Sequence, residues 1–126
     1  MYISLLTQLK NAQAVKKESI KFYYSKMDEV VLGILENKKY INSFEKKGRG
    51  TKKFFDIKLK YNEGEGAIKG VKLISKPSRK LYLGYSDIRP VKRGYGLLVI
   101  STPNGVITGQ EAKKMKVGGE LLFEIW

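Results

Sequence analysis

The chain has 126 residues, which suits one compact domain or two very small ones, and 42% of them are hydrophobic, enough for an ordinary core. Lys and Arg number 25 against 12 Asp and Glu, a net charge of +13 with an isoelectric point near 9.8, the footprint of a protein that gathers polyanions at its surface. Cys and His are both absent, which excludes disulfides, zinc fingers, Cys nucleophiles and Ser-His-Asp triads. There is no apolar run of 18 residues and no signal-peptide core, so neither a membrane-spanning nor a secreted protein is expected.

Residues 1–63 hold 14 Lys/Arg and 7 Asp/Glu, and residues 64–126 hold 11 and 5. The charge is therefore shared, and both halves are expected to face the polyanion. An anionic membrane fits less well than nucleic acid, because the charge is not confined to one amphipathic helix.

The first element is a helix, with Ile3, Leu5, Leu6, Leu9 and Ala12 at helical spacing. Lys16-Lys17-Glu18 breaks it, and Ile20, Phe22 and Tyr24 alternate with polar residues in a strand over 18–24. Ser25 is an N-cap with Asp28 three residues on, and Met27, Val30, Val31, Ile34 and Leu35 form the apolar stripe of a second helix ending near Asn37. Strands are predicted at 40–45 and 53–61. The tip between them, from Lys46 to Lys53, has five basic residues in eight. Lys52 and Lys53 there are either part of a solvated tip that discourages edge pairing or part of a phosphate-gripping loop. Asn62-Glu63-Gly64-Glu65-Gly66 is the predicted boundary, giving domains 1–63 and 67–126.

The second half is predicted to be mostly strands: 67–74, 80–83, 97–101, 105–107 and 120–126. Ser75-Lys76-Pro77-Ser78-Arg79 is a turn, 84–96 is irregular, and Thr108-x-x-Glu111 is the capping box of one short helix ending near Met115. The fold class is α+β, with an α-β-α-β-β first domain and a mostly β second domain.

No phosphate-binding Gly-x4-Gly-Lys-Ser/Thr motif occurs, and Gly64, Gly66 and Gly70 miss the dinucleotide spacing. Glu63 and Glu65 lie in a polar loop where nothing would desolvate or orient them. No enzyme, metal or cofactor is expected. Residues 69–93 carry eight Lys/Arg and one acid, and Ser75, Lys76, Ser78, Arg79, Lys80 and Tyr82 combine phosphate donors with a ring. Tyr82 is equally well a strand-packing ring. Ser101-Thr102-Pro103-Asn104-Gly105 follows an apolar strand and offers short hydroxyl and amide groups to an unpaired base or shallow minor groove, although the same residues make an ordinary hairpin turn.

Gly96-Leu97-Leu98-Val99-Ile100-Ser101-Thr102-Pro103-Asn104-Gly105-Val106-Ile107-Thr108 with Glu111-Ala112-Lys113, together with the ending Gly118-Gly119-Glu120-Leu121-Leu122, resembles the signature of the small-subunit ribosomal protein eight family. Ser75-Lys76-Pro77-Ser78-Arg79-Lys80-Leu81-Tyr82 and Leu6-Thr7-Gln8-Leu9-Lys10-Asn11-Ala12 are similar to two further stretches of it. The resemblance implies two closely packed domains and a cytoplasmic ribosomal ribonucleoprotein. It implies a primary binder of central-domain small-subunit rRNA in assembly and translation, neighbouring small-subunit proteins as partners, and no membrane. It also implies an alternative role, repression of translation through the messenger RNA of its own operon.

On the same resemblance Ser101, Thr102 and Pro103 meet the RNA minor groove and an exposed base. Glu120 either accepts directly from the RNA or orients the turn. Ser25 and Lys26 face phosphate. Pro103 stands where many members have Ser, Ser78 where they have Gly, and Gln8 and Lys10 where they have Arg, which weakens the N-terminal contacts.

Overall fold

The computed structural model describes residues 2–75, 78–88 and 96–126, and the chain divides into two compact units, Met1–Ile68 and Lys69–Trp126. The first unit begins with α1 (Tyr2–Ala14), which buries Leu5, Leu6, Leu9 and Ala12 of the predicted face together with Tyr2, while Ile3 is only half-buried. Strand β1 (Ser19–Tyr23), helix α2 (Lys26–Asn37) and strands β2 (Ile41–Lys47) and β3 (Phe54–Leu59) follow. The antiparallel sheet has the order β1-β3-β2. Phe55, Ile57 and Leu59 are buried on one side of the central strand, while Asp56 and Lys58 take the alternate positions. Burying each such side chain stabilises the unit by roughly 1.5–3 kcal/mol.

Helix α2 is capped as its sequence predicts, the Ser25 hydroxyl accepting from the Asp28 N–H at 3.5 Å. The buried stripe is turned, however. Asp28, Val31, Leu32 and Leu35 face inward, whereas Val30 is 40% exposed and Met27 and Ile34 are half-buried. Both sets obey helical spacing, and periodicity alone does not choose the centre of so broad an apolar arc. The turn puts Asp28 indoors, and burial pushes its carboxyl above the ordinary carboxylate range.

Residues 62–66, expected to separate two domains, form with Tyr61 a hairpin inside the first unit, β4 (Tyr61–Asn62) against β5 (Glu65–Gly66). Glu63 and Gly64 at its tip both have positive φ, as a tight two-residue hairpin requires. Ala67 and Ile68 also belong to this unit. The Gln13 amide donates to the Ile68 carbonyl at 2.9 Å and accepts from its N–H at 3.1 Å. Tyr61 is tied back by its hydroxyl, which donates to the Lys17 carbonyl.

The second unit contains β6 (Val71–Leu73), β7 (Tyr82–Leu83), β8 (Leu97–Thr102), β9 (Gly105–Thr108), α3 (Gly109–Met115) and β10 (Gly119–Ile125). Its antiparallel sheet has the order β6-β10-β8-β9, with β7 also paired to β10. The strands predicted over 67–74 and 80–83 are shorter than expected. Gly70 packs against the Trp126 indole, and the Lys69 and Gly70 N–H groups both donate to the Trp126 carbonyl, so ladder pairing starts only at Val71.

Thr108 caps α3, accepting from the Glu111 N–H at 3.2 Å and donating to the Glu111 carboxylate at 3.1 Å. Ala112 of this helix is buried with Leu98, Ile100 and Ile88. In the stretch 84–96, Tyr85–Asp87 form a short 3-10 turn. Residues 89–95, like Lys76 and Pro77, lie outside the described residues. Among the described residues no helix is long and apolar enough to cross a membrane.

Candidate nucleic-acid interface

Strands β8 and β9 are joined by the predicted turn. Thr102 and Gly105 pair across it, with Pro103 and Asn104 exposed at the tip. Pro suits the first turn position because its φ is fixed, and Gly105 takes a φ of +112° that favours glycine. The Thr102 hydroxyl donates to the Gly105 carbonyl at 2.9 Å and accepts from the Asn104 N–H at 3.1 Å. Thr102 is only 9% exposed. Its hydroxyl therefore holds the turn together, which the sequence could not distinguish from contact with a ligand.

Ser101 differs. It is half-buried, and its hydroxyl is held by no described residue. It pairs with Glu120 of β10 on one side and with Val106 of β9 on the other, and Glu120 pairs in turn with Tyr82 of β7. Directly paired residues share a face of the sheet. Tyr82, Glu120, Ser101 and Val106 thus form one rung across four strands, about 14 Å long at the usual strand spacing. Tyr82 is 66% exposed, so it is not a packing ring. The rung offers a ring, a carboxylate, a hydroxyl and an aliphatic edge side by side. That set can stack on or bond an unpaired base and a 2′-hydroxyl.

A β-bulge makes the rung possible. Below it, Phe123 pairs with Val99, and were that register to continue Leu121 would stand opposite Ser101. Between Leu121 and Phe123 the register shifts, so Leu121 pairs with Ile100 and Glu120 with Ser101. The extra residue re-aims the acid, a known use of bulges. The two preceding glycines let the strands close in. A Cβ on Gly119 would lie 2.0 Å from the Ser101 carbonyl oxygen, and one on Gly118 would lie 2.4 Å from that of Leu83. Val106, the bulge and this close approach escape sequence reading. The adjacent glycines are the one signal that could have revealed the last.

The basic turn is closed from within. The Ser75 hydroxyl is buried, accepts from the Leu81 N–H at 3.0 Å and donates to the Leu81 carbonyl at 3.4 Å, so it is not the phosphate donor expected. Leu81 also accepts from the Leu121 N–H at 2.8 Å, which brings this turn to β10 beside Glu120. Ser78, Arg79 and Lys80 are exposed, and Lys76 lies outside the described residues.

In the first unit, Lys52 and Lys53 are exposed at the tip between β2 and β3, and Lys26 is exposed at the start of α2. Lys47 is committed elsewhere. Its ammonium donates to Asp56 at 3.0 Å, with Glu45 at 3.8 Å, and the Asp56 bond holds its pKa above the usual lysine value. Ser25 is half-buried, its oxygen engaged as the cap. A groove of about 700 Å³ in this unit is lined by Gln8, Asn11, Val15, Lys17 and Lys21 among others, with no carboxylate for acid–base work. Among the described residues no cluster of His, Cys, Asp or Glu could hold a metal.

Residues 3–126 match the family model described as ribosomal protein S8. The small ribosomal subunit protein uS8 of Nautilia profundicola is 47% identical over 122 residues, covering 96% of this chain and 93% of that protein. Those of Campylobacter jejuni and Campylobacter lari are 44% and 43% identical over the same shares. Matched along nearly its whole length by a family model and by relatives well above 30% identity, this chain belongs to the ribosomal protein S8 family.

Proposed function

We propose that the chain is a structural component of the small ribosomal subunit, working in the cytoplasmic ribosome, and that it binds central-domain small-subunit rRNA as a scaffold for assembly. Its family is one of ribosomal proteins, not of enzymes. The observation that carries the reading is the rung Tyr82–Glu120–Ser101–Val106 at the mouth of the β8–β9 turn. It is a compact polar and aromatic strip on a protein of net charge +13. Ser101, Glu120 and Tyr82 meet the base and sugar, with Pro103, Asn104 and Gly105 as the exposed edge of the same site. Thr102 fixes the turn. Arg79, Lys76, Lys26, Lys52 and Lys53, with Ser25, supply contacts to phosphate. Neighbouring small-subunit proteins are its further partners.

Filter binding tests the reading. A central-domain fragment of the organism's own small-subunit rRNA should bind tighter than a random duplex of equal length by a factor on the order of a thousand or more. Equal affinity for the two would sink it. A repressor acting on its own messenger RNA would use the same rung, and absence of the protein from small-subunit fractions on a gradient would favour that role.

A further inference from the structure

Tyr24 lies between β1 and α2, and no role above uses it. Two lysines from separate segments converge on its ring. The Lys46 ammonium, on β2, is 5.1 Å from the ring centroid, and the Lys53 ammonium, just before β3, is 5.7 Å from it. The ring is fixed on both its backbone and its packing side. The Tyr24 N–H donates to the Lys53 carbonyl at 3.1 Å, and the ring meets Phe55, which is fully buried, at a centroid distance of 5.5 Å. Both lysines are exposed while Tyr24 is half-buried.

Two ammonium groups left to themselves separate, because like charges repel and a lysine stem has considerable rotamer freedom to lose. The negative face of an aromatic ring opposes this, attracting each cation by roughly 0.5–1 kcal/mol at an exposed site. The result is a prepaid concentration of positive charge at one point, which a phosphate oxyanion complements. Glu29 stands 3.7 Å from the Lys46 ammonium, but both side chains are well exposed and such pairs contribute little, so it competes weakly. We propose that Tyr24 is the positioning residue of a second, sequence-independent RNA site on the first unit, in which Lys46 and Lys53 gathered at its ring grip a backbone phosphate. The proposal rests on the reading of the chain as an RNA binder.

The test is filter binding of the full chain to the rRNA fragment and to random duplex over a range of salt. Each phosphate neutralised on duplex contributes about 0.9 to the slope of log K against log salt. Tyr24→Leu should lower that slope by about one on both RNAs, leaving the preference between them unchanged. The pair K46Q/K53Q should do the same, the triple variant should lose no more than either, and Tyr24→Phe should behave as wild type. Glu29→Gln should strengthen binding to both RNAs.

A wild-type slope in Tyr24→Leu, or summed losses in the triple variant, would overturn the proposal. Should Tyr24→Leu fail to fold, Lys46→Gln and Lys53→Gln keep the Phe55 contact and decide alone. Each single change should cost nearly the whole slope loss of the pair if they share one phosphate, and independent additive losses would refute it. Equal wild-type affinity for the two RNAs would count against the specific rRNA reading only, since the slope is measurable on either.

Discussion

The hydroxyls of Ser101 and Thr102 are one residue apart and face opposite demands. Thr102 donates to Gly105 and accepts from Asn104 within the turn, while Ser101 is engaged by no described residue and stands in the rung with Glu120. Thr102→Ala should therefore lower stability by about 1–2 kcal/mol, two modest hydrogen bonds being lost in a nearly buried place. Ser101→Ala should leave stability within about 0.5 kcal/mol and weaken binding to the specific RNA by roughly 1–3 kcal/mol. Thermal melts beside filter binding separate the two, and a Ser101→Ala protein that melts early yet binds RNA normally would reverse these roles. Gly119→Ala probes the same spot from the facing strand. Its Cβ would collide with a backbone oxygen, which cannot swing aside as a side chain can. A loss of about 1–3 kcal/mol in stability, as for overpacking, should come with a loss of RNA preference, because the strands must part where Ser101 and Glu120 meet.

At the scale of elements, α3 gives the clearest test of local encoding. Thr108 and Glu111 form the capping box their spacing predicts, and Thr108→Ala should cost about 1 kcal/mol in a denaturant midpoint without altering the salt dependence of RNA binding. Such local signals were legible: α1, the Ser25 and Thr108 caps, and the turn at Pro103–Gly105 all announce themselves within a few residues. Signals that depend on partners were not. Periodicity places the α2 stripe one position off because a broad apolar arc has no unique centre until the sheet is beside it. The strand over 120–126 runs Glu-Leu-Leu-Phe-Glu-Ile-Trp, an apolar run that does not say which residue the pairing skips, so the register shift between Leu121 and Phe123 shows only beside β8. Of the candidate site, Ser101, Glu120 and Tyr82 are legible as residues and Val106 is not, and the family resemblance joins Ser101 to Glu120. Their arrangement as one rung with Tyr82 exists only once three non-adjacent strands pair.

For the whole molecule, pH and salt probe different things. Tyr40 and Tyr61 both have pKa values raised above the ordinary 10 by burial, so the folded chain holds their protons more tightly than the unfolded chain does. Their contribution is complete below pH 10 and is lost as pH rises through the folded values. Stability should fall in that alkaline range, and Tyr61→Phe should flatten part of the fall, since the phenol that donates to Lys17 is gone. Salt instead reports the charge. Residues 1–63 carry +7 and residues 64–126 carry +6, so under the proposed function polyanion binding would draw on both halves, whereas base reading would be confined to the rung of the second unit. The two should separate cleanly. Lys52→Gln should weaken binding to specific and random RNA alike and reduce the salt slope by about one, while Ser101→Ala should leave the slope intact and shrink only the ratio of the two affinities. If Lys52→Gln instead changed the ratio and spared the slope, the tip would be reading sequence, and the division between a gripping unit and a reading rung would be wrong.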